Sequence, residues 1–291
     1  MKKPDGIDKS HKATAEYFDY LAPKLSYWKD KNRYYHQTLE NLCQFLIPKQ
    51  SSVFEIGSAT GDLLNSLYPK SGVGLDISSV MLSIARSKYP ELKWIQGEVD
   101  GNDFPIKEKF DYIVISDVWG FVNDVEKSFR NLFQVSNYNT RIVITFHNFL
   151  WEPVLKLAET LGLKTRQPIQ NWLSNQDVEN MLYLAGFEVL KKGNKMIFPV
   201  WVPLLSRFMN KILGNLPLIS KLGIIQYIVA RPQPKEFREY SVSIIIPARN
   251  ERGNIENAIK RIPDFGSSQE IIFIEGHSTD GTLEEIEKVA E

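Results

Sequence analysis

The residues whose types and spacing best suit chemistry follow two short apolar segments. Val53–Ile56 runs into a loop of small residues, 57–61, and the loop opens a predicted helix at Asp62. Small residues allow the backbone of such a loop to approach a ligand closely. The second segment ends at Asp76, nineteen positions after Gly57, where a carboxylate can accept hydrogen bonds from both hydroxyls of a ribose. The pattern predicts a site for a nucleoside.

The loop lacks the glycine spacing of a dinucleotide site. A G-x-G-x-x-G pattern counted from Gly57 would need glycine where Ala59 and Asp62 stand. Because the N-terminus of a helix attracts anions, Asp62 would repel a pyrophosphate bound there. This favours a nucleoside ligand without phosphates and argues against a nicotinamide dehydrogenase. The alternatives are that the loop is a plain turn, with Asp62 complementing the helix dipole, and that Asp76 caps the next helix.

Between residue 51 and about residue 190, short apolar segments alternate with segments of helical periodicity. Connections this short favour a mostly parallel α/β sheet that is doubly wound, with helices on both faces. In such sheets ligands bind beyond the carboxyl ends of the strands, where the loop and Asp76 lie. Strands are predicted at Val53–Ile56, Val73–Asp76, Lys93–Ile95, Tyr112–Ser116, Arg141–Phe146 and Phe187–Leu190, and helices at Asp62–Tyr68, Ser79–Lys88, Val125–Val135, Pro153–Leu161 and Asn175–Ala185.

The chain on either side of this sheet carries further elements. Residues 14–46 read as aromatic-rich helices, and Ile224–Ala230 reads as one more strand. The proline-interrupted stretch 231–236 is typical of a linker, and Ser241–Ile246 begins a second α/β pattern. We therefore predict a helical lid segment over 1–50, an α/β domain over 51–232, a linker over 233–239 and a partial domain over 240–291.

The composition excludes several classes of protein. The 291 residues include 35 Lys or Arg and 35 Asp or Glu, so the formal net charge is zero. Nucleic-acid binders usually carry a basic excess, and we predict no nucleic-acid partner. The single cysteine, Cys43, excludes an internal disulfide and is expected to be buried. The longest run without a charged residue, Met196–Ser206, is much shorter than the about 20 residues of a membrane span, and no apolar leader follows the N-terminus, so we expect a cytoplasmic protein.

Three successive motifs resemble those of class I S-adenosylmethionine-dependent methyltransferases. They are Glu55-x-Gly57-x-x-x-Gly61, then Gly-Leu-Asp-Ile-Ser at 74–78 and Phe-Asp-Tyr-Ile-Val at 110–114, in register over roughly 15–232. The resemblance implies a Rossmann-like sheet of seven strands, in which Ile224–Ala230 is the antiparallel partner of Phe187–Leu190. It also implies S-adenosylmethionine as the cofactor and S-adenosylhomocysteine as its product. One departure is Ala59, where the family commonly has a second glycine.

The resemblance also carries roles over to individual positions. The loop around Gly57 would surround the methionine part of the cofactor, with Glu55 holding the loop and the ammonium group. Asp76 would accept the ribose hydroxyls, and Asp117 would lie where the methyl group should point. The implied cofactor-binding residues are Glu55, Gly57, Ser58, Ala59, Gly61, Asp76, Ile77, Glu98, Val99 and Asp117.

At the adenine end the assignment has alternatives. By resemblance, Glu98 would accept a hydrogen bond from the adenine amino group, and the Val99 N–H would bond to the ring. Many relatives have aspartate where Glu98 stands, and Asp100 or Asp103 could take its place.

Methyl transfer needs an aligned, deprotonated nucleophile more than it needs a metal. The four histidines show no metal-ligand spacing, and we expect no metal. A general base should lie at the carboxyl ends of the fourth and fifth strands, which makes His147 and Asp117 the candidates. The alternative for His147 is a structural histidine at a strand end. The tyrosines and Trp28 of the N-terminal helices could form a lid over the site or simply a core.

A second resemblance begins after the linker. The strand and loop at 240–251 and the stretch 271–282 resemble the opening of a family 2 glycosyltransferase, in which such residues contact a nucleotide sugar. Here Glu275-Gly276 replaces the commoner Asp-Asp, and no Asp-x-Asp follows Ser241. The chain therefore resembles a methyltransferase fused to the start of a glycosyltransferase. The rival to methyl transfer is a nucleotide-sugar transferase with an accessory first domain, and Asp280 alternatively serves only a turn.

The methyl acceptor is expected to be a small molecule, and the fusion points to a carbohydrate or a lipid-linked sugar. We expect an apolar stripe before the last strand to be one side of a helix that covers the sheet. The alternative is that this helix borders the acceptor pocket and admits a lipid-linked acceptor, or lies on a membrane surface. The stripe comprises Leu204, Leu205, Phe208, Met209, Ile212 and Leu213, with Arg207, Asn210 and Lys211 between them.

Overall fold

The computed structural model describes residues 11–102, 104–168, 171–233, 241–265 and 268–290. The chain divides into two compact units, Met1–Pro234 and Lys235–Glu291. The boundary between them falls inside the predicted linker, which lies outside the described residues except for Gln233. The first ten residues of the predicted lid segment also lie outside them.

The first unit contains every strand and helix predicted for the sheet domain, with ends that differ by a few residues. The largest difference is the sixth strand, which continues to Lys195. Its strands are β1 (Ser52–Ile56), β2 (Ser71–Asp76), β3 (Lys93–Gln96), β4 (Tyr112–Ser116), β5 (Arg141–His147), β6 (Phe187–Lys195) and β7 (Ile225–Pro232). Its helices are α1 (His11–Leu21), α2 (Leu25–Lys31), α3 (Arg33–Leu46), α4 (Asp62–Ser66), α5 (Ser79–Lys88), α6 (Val125–Gln134), α7 (Glu152–Thr160), α8 (Asn175–Leu184) and α9 (Leu205–Lys211).

The seven strands form one sheet in the order β3-β2-β1-β4-β5-β7-β6. The first five strands in this order pair in parallel, whereas β7 is antiparallel to both β5 and β6. The order reverses between β1 and β4, which opens the crevice where ligands bind in doubly wound sheets. The predicted fold class and the antiparallel partner of β6 are confirmed.

Helices cover both faces of the sheet, because alternate strand residues supply two separate apolar cores. Phe54 of β1 and Ile113 of β4 belong to the core on one face. Their neighbours Val53 and Val114 belong to the core on the other, together with Cys43. The burial expected for Cys43 is confirmed, and the burial of both faces holds the ends of β1 and β4 at fixed positions.

The N-terminal helices pack over the carboxyl edge of this sheet. Asp19 of α1 accepts hydrogen bonds from the Ser78 hydroxyl and the Val80 N–H at the start of α5. Lys29 of α2 forms an ion pair with Asp62, with 2.6 Å between Nζ and Oδ2. These contacts hold the helices across the loop that follows β1.

The segment between β6 and β7 reverses the arrangement predicted for its side chains. On α9 the hydroxyl of Ser206 is buried and bonds to the backbone oxygens of Val200 and Val202. The stripe residues Leu204, Leu205, Phe208 and Ile212 are exposed instead. The prediction that these four are core is wrong, because polar groups attach α9 to the unit. Among the described residues, no helix is long and apolar enough to cross a membrane.

The second unit is a small α/β arrangement. Strands β8 (Ser241–Ala248) and β9 (Ser268–Glu275) pair in parallel. Helices α10 (Ile255–Arg261) and α11 (Thr282–Ala290) follow them. In the β9–α11 turn, Asp280 accepts a hydrogen bond from the Thr282 N–H. That contact is the one expected of a turn residue.

Candidate active site

The loop after β1 is built from left-handed backbone. Gly57, Ala59 and Gly61 have φ values of +69°, +45° and +80°. A Cβ at Gly57 would lie 2.2 Å from Val118 Cγ2, and one at Gly61 would lie 2.4 Å from a ring carbon of Trp94. Ala59 adopts the same region at a cost of about 1–2 kcal/mol for an L-residue. The strain at Ala59 explains why glycine suits that position.

Asp76 holds this loop from the end of β2. Its Oδ2 accepts a hydrogen bond from the Ala59 N–H and its Oδ1 accepts one from the Ser78 N–H, both at 2.8 Å. Burial raises the pKa of Asp76 to about 6, although these two bonds act to lower it. The carboxylate is therefore mostly ionised at neutral pH, and each oxygen keeps a lone pair for a ligand hydroxyl.

A cavity of about 530 Å³ opens at the carboxyl edge of the sheet. Two atoms of its lining residues, Asp117 Oδ1 and Trp119 Nε1, are buried and have no hydrogen-bond partner among the described residues. A buried polar atom without a partner is costly unless a ligand pairs with it. One indole N–H as a donor, and the Asp117 oxygen and the Asp76 carboxylate as acceptors, fit a ligand that carries hydroxyl, amino and carboxyl groups, as S-adenosylmethionine does. The predicted cofactor residues in the lining are Gly57, Ala59, Asp76, Ile77, Glu98, Val99 and Asp117.

Glu55, Ser58 and Gly61 are not among the described residues of that lining. Glu55 lies beneath the loop, where its Oε2 accepts a hydrogen bond from the Leu64 N–H of α4 at 3.1 Å. Burial raises the pKa of Glu55 to about 8, against the lowering effect of Lys29. This position suits the predicted role of Glu55 in holding the loop, and its contact with the cofactor ammonium stays a prediction.

At the adenine end, His11 bridges two carboxylates. Its Nδ1 lies 2.7 Å from Glu98 Oε2, and its Nε2 lies 3.0 Å from Asp100 Oδ1. Glu98 and Asp100 both line the cavity. Asp100 also accepts the backbone N–H groups of Asn123 and Asp124 and is buried, whereas the Glu98 side chain is partly exposed. The assignment of Glu98 to adenine stays a prediction. The other alternative, Asp103, lies outside the described residues.

These three side chains could in principle hold a cation, since their ligand atoms lie within 4.8 Å of one another. However, the two nitrogens of His11 point from opposite sides of the ring, and each is at hydrogen-bond distance from its own carboxylate. The group links α1 to the loop after β3 at hydrogen-bond distances. The expectation of no metal stays a prediction.

The two predicted catalytic residues meet at the ends of β4 and β5, and a third residue joins them. The Tyr35 hydroxyl, from α3, donates to Asp117 Oδ2 at 2.7 Å. The Tyr35 and His147 rings stack with 5.4 Å between centroids and 6° between planes. His147 Nδ1 lies 3.8 Å from Asp117 Oδ1, and Asp117 has a φ of +56°. The cluster is thus held by strand ends on one side and by helix α3 on the other.

The electrostatics of this cluster keep the imidazole of His147 neutral. Burial lowers the pKa of His147, Asp117 acts to raise it, and Lys164 lowers it further. The pKa of Tyr35 is raised by burial and by the neighbouring Asp117 carboxylate, so Tyr35 remains a hydrogen-bond donor. A buried neutral histidine beside a carboxylate can accept a proton and be stabilised once it carries one.

Away from the cofactor residues, the cavity wall is largely apolar. Its lining there includes Trp151, Val154, Leu155, Leu163, Pro199 and Val200. Lys164 is the nearby cation, with its Nζ 2.7 Å from Glu159 Oε1.

The sequence indicated Tyr35 only as one of the tyrosines of the N-terminal helices, and it did not single out Lys164 or the α7 side chains. The bond between Tyr35 and Asp117 joins residues 82 positions apart. No spacing rule connects two such residues. The only available signal was the density of tyrosine in the helices that precede the sheet.

The first unit is similar to several solved structures of methyltransferases. A Thermotoga maritima SAM-dependent methyltransferase shares 17% identity at a TM-score of 0.57, covering 74% of this chain and 98% of that one. A Haloferax volcanii protein in complex with the Trm112 methyltransferase activator shares 15% identity at a TM-score of 0.56, covering 75% of this chain and 98% of that one. Magnesium protoporphyrin IX methyltransferase from Synechocystis PCC 6803, solved with bound SAH, shares 14% identity at a TM-score of 0.53, covering 77% of this chain and 100% of that one. At such identities the likeness shows the fold.

Comparisons by sequence find a match to a family model in each unit. A comparison with curated proteins finds no match. Residues 243–291 match part of the family model for glycosyl transferase family 2, as the motifs after the linker predicted. Residues 27–192, more than half of the chain, match the family model described as a methyltransferase domain. This stretch includes the loop at Gly57, Asp76 and the cluster around His147, and the chain therefore belongs to the methyltransferase family.

Proposed function

We propose that the protein transfers a methyl group from S-adenosylmethionine to a hydroxyl group of a small-molecule acceptor that has an apolar portion. The observation that carries this proposal is that one cavity contains both Asp76 and the Tyr35–Asp117–His147 cluster. A nucleoside-type site and a proton acceptor thus share one chamber. A protein that only bound a nucleoside would not need a proton acceptor in the same cavity.

Residues along one side of the cavity would hold the cofactor. Asp76 would accept the ribose hydroxyls, Glu98 and the Val99 N–H would bind adenine, and the loop at 57–61 would surround the methionine part. When bound, S-adenosylmethionine supplies a methyl group activated by its sulfonium. The acidic residues on this side also complement the positive charge of such a cofactor.

His147 then acts as the general base. Its Nδ1 faces Asp117, and a proton held on Nδ1 leaves Nε2 free to accept the proton of the acceptor hydroxyl. The imidazolium that forms is stabilised by the Asp117 carboxylate. Tyr35 keeps that carboxylate in place through its 2.7 Å hydrogen bond, and its stacked ring fixes the plane of the imidazole.

The acceptor class follows from the rest of the wall. Trp151, Val154 and Leu155 would contact an apolar tail, while the hydroxyl to be methylated lies near His147. A sugar or other polyol attached to a lipid has both parts. The family 2 glycosyltransferase match in the same chain supports a sugar by association.

The same match favours a second candidate function, transfer from a nucleotide sugar. Two carboxylates in the stretch that resembles a nucleotide-sugar site already accept hydrogen bonds from their own loop. Glu275 accepts the N–H groups of His277 and Ser278, and Asp280 accepts that of Thr282. We expect no release of UDP from UDP-sugars with Mn²⁺, and manganese-dependent turnover by the pure chain would reverse this ranking.

The test has two stages. Calorimetry with S-adenosylhomocysteine should show stoichiometric binding that His147→Gln leaves unchanged, since His147 is not assigned to the cofactor. Labelled S-adenosylmethionine is then offered with paired acceptors that have or lack a free hydroxyl and have or lack a lipid tail. Transfer should need the hydroxyl, should favour the tail, and should be lost in His147→Gln. Transfer to a carboxylate or amine that survives in His147→Gln would contradict the assigned chemistry.

A further inference from the structure

The segment between β6 and β7 presents an apolar surface to solvent. We call six of its side chains the apolar face: Trp201, Leu204, Phe208, Ile212, Leu216 and Leu218. Each is between 45% and 81% exposed. Monomeric soluble proteins rarely expose large contiguous apolar patches, and such patches usually mark a contact surface.

The exposure results from how α9 is attached. Ser206 and Asn210, one helical turn apart, face the protein: Ser206 bonds to the backbone of Val200 and Val202, and Asn210 bonds to the backbone of Phe198 and the Tyr34 hydroxyl. Because i and i+4 residues share a face, Leu204, Phe208 and Ile212 form a stripe on another side. An ordinary surface helix turns its apolar side inward, whereas α9 turns it outward.

The charged residues in this part of the sequence all have one sign. Residues 189–235 contain eight Lys or Arg and no Asp or Glu, in a chain where the two classes are equally numerous. Three of these cations, Arg207, Lys211 and Lys221, lie within the segment and are exposed. None of the three forms an ion pair with a carboxylate among the described residues. Such a surface complements a partner that is both apolar and anionic.

The chain that leads into the apolar face lines the cavity, since Val200 directly precedes Trp201. Val200 and Val154 line the cavity and are nevertheless 58% and 51% exposed, so they lie where it opens. Trp151 holds the two sides of this opening together, since its Nε1–H donates to the Leu222 backbone oxygen at 2.7 Å. A molecule entering between these side chains would pass from the apolar face to His147 along apolar walls.

We propose that the apolar face, with Arg207, Lys211 and Lys221, binds the surface of an anionic phospholipid bilayer. The exposed leucines and Phe208 insert at the boundary of the acyl chains, Trp201 lies at headgroup level, and the cations contact lipid phosphates. Docking in this orientation brings the cavity mouth to the membrane. The docking does not depend on the proposed function, but its use to collect a lipid-linked acceptor rests on it.

The experiment measures flotation of the full chain with phosphatidylcholine vesicles that contain or lack phosphatidylserine. We expect binding at least about tenfold stronger to the anionic vesicles, and weaker binding when salt is raised from about 0.15 to about 1 M, where screening shortens the Debye length to about 3 Å. Leu204→Ser combined with Phe208→Ser should reduce binding by at least about tenfold. Arg207→Gln combined with Lys211→Gln should abolish the preference for anionic vesicles.

Leu184→Ser is the matched control, because Leu184 is 72% exposed at the end of α8 and is not part of the apolar face. It should leave binding unchanged, and all variants should keep the wild-type melting temperature because the substituted side chains are exposed. The proposal is overturned if the wild type does not float, or if Leu184→Ser loses as much binding as the double variant. It is also overturned if the apolar face mediates self-association that Phe208→Ser abolishes while vesicles are ignored.

This readout separates the two proposals. Flotation needs neither cofactor nor acceptor, so a protein that binds vesicles but not S-adenosylhomocysteine would contradict the proposed function alone. A protein that methylates a water-soluble acceptor but ignores vesicles would contradict the docking alone.

Discussion

Replacing Asp117 by asparagine isolates the electrostatic part of the proposed mechanism. Asparagine keeps the shape of the side chain and an acceptor oxygen for the Tyr35 hydroxyl, but it removes the negative charge beside His147. The distance from His147 Nδ1 to Asp117 Oδ1 is 3.8 Å. At an effective dielectric constant of about 20, opposite unit charges at that distance attract by about 4 kcal/mol.

This energy stabilises the imidazolium and not the neutral ring, so its loss acts on the proton-accepting step. If the whole of this energy were lost in the transition state, kcat would fall by about 10³-fold, and we expect Asp117→Asn to lower kcat by no more than this. Asp117 acts to raise the pKa of His147, against burial and Lys164. The variant should therefore move the pKa of His147 further below its usual value.

The direct assay is an NMR titration of the histidine ring protons, which needs no methyl acceptor. His147→Gln assigns the resonance, and the midpoint in Asp117→Asn should fall to lower pH than in the wild type. Calorimetry with S-adenosylhomocysteine shows whether the cavity is intact. Glu126→Gln is the control for loss of one carboxylate, since Glu126 is exposed on α6 and pairs with Arg130 of the same helix. A midpoint that stays in place or rises in Asp117→Asn, with the cavity intact, would refute the coupling of His147 to Asp117.

Three further predictions concern the cofactor loop and pH. Asp76→Ala should weaken S-adenosylhomocysteine binding by more than about tenfold, or about 1.4 kcal/mol. The variant loses the acceptor for the ribose hydroxyls and the two hydrogen bonds from Ala59 and Ser78 that hold the loop. An unchanged Kd in a folded variant would remove Asp76 from the site. Gly57→Ala should destabilise the protein by about 1–3 kcal/mol, and adding Val118→Ala should recover only part of this in urea unfolding, since it removes the 2.2 Å clash but not the positive φ. Burial lowers the pKa of His36 to about 4 from 6.5, so the unfolded chain binds the proton first and stability falls as the pH drops from 6.5 to 4. His36→Gln should flatten this dependence by about 3 kcal/mol, and identical pH curves for the two proteins would contradict it.

The elements of the sheet could be predicted because their signals are local. Each strand is a short apolar run, and its alternate residues enter the two cores, as Val53 and Phe54 do. The small residues at 57–61 indicate a loop directly in the sequence. Ser174 is the N-cap of α8 and forms the hydrogen bonds of a capping box. Such features depend on neighbours within a few positions, which a sequence displays directly.

Part of the candidate site could also be predicted, because the carboxyl edge of a parallel sheet collects residues that follow its strands. Asp76 ends β2, Asp117 follows β4 and His147 ends β5, so the topology alone brings them to one edge. Once the strand order is known, no further information is needed to place them together.

Only the tertiary structure decided which distant groups complete the site. Tyr35 bonds to Asp117, and His11 bonds to Glu98 and Asp100, across 82 to 89 positions. Helical periodicity can show that α1 and α3 have apolar and polar sides, but it does not specify which strand end each polar side chain meets. That choice depends on how the helices pack.

The apolar stripe on α9 shows the same limit most clearly. Its periodicity correctly predicts a helix with one apolar side, and the natural expectation is that this side is buried. The tertiary structure instead buries Ser206 and turns Asn210 toward the protein, because backbone groups at Phe198, Val200 and Val202 find hydrogen-bond partners in these two side chains. Hydrogen bonds to specific backbone atoms depend on where the chain has already been placed. A hydropathy pattern therefore determined that α9 has two different sides, and the surrounding fold determined which of them faces the solvent.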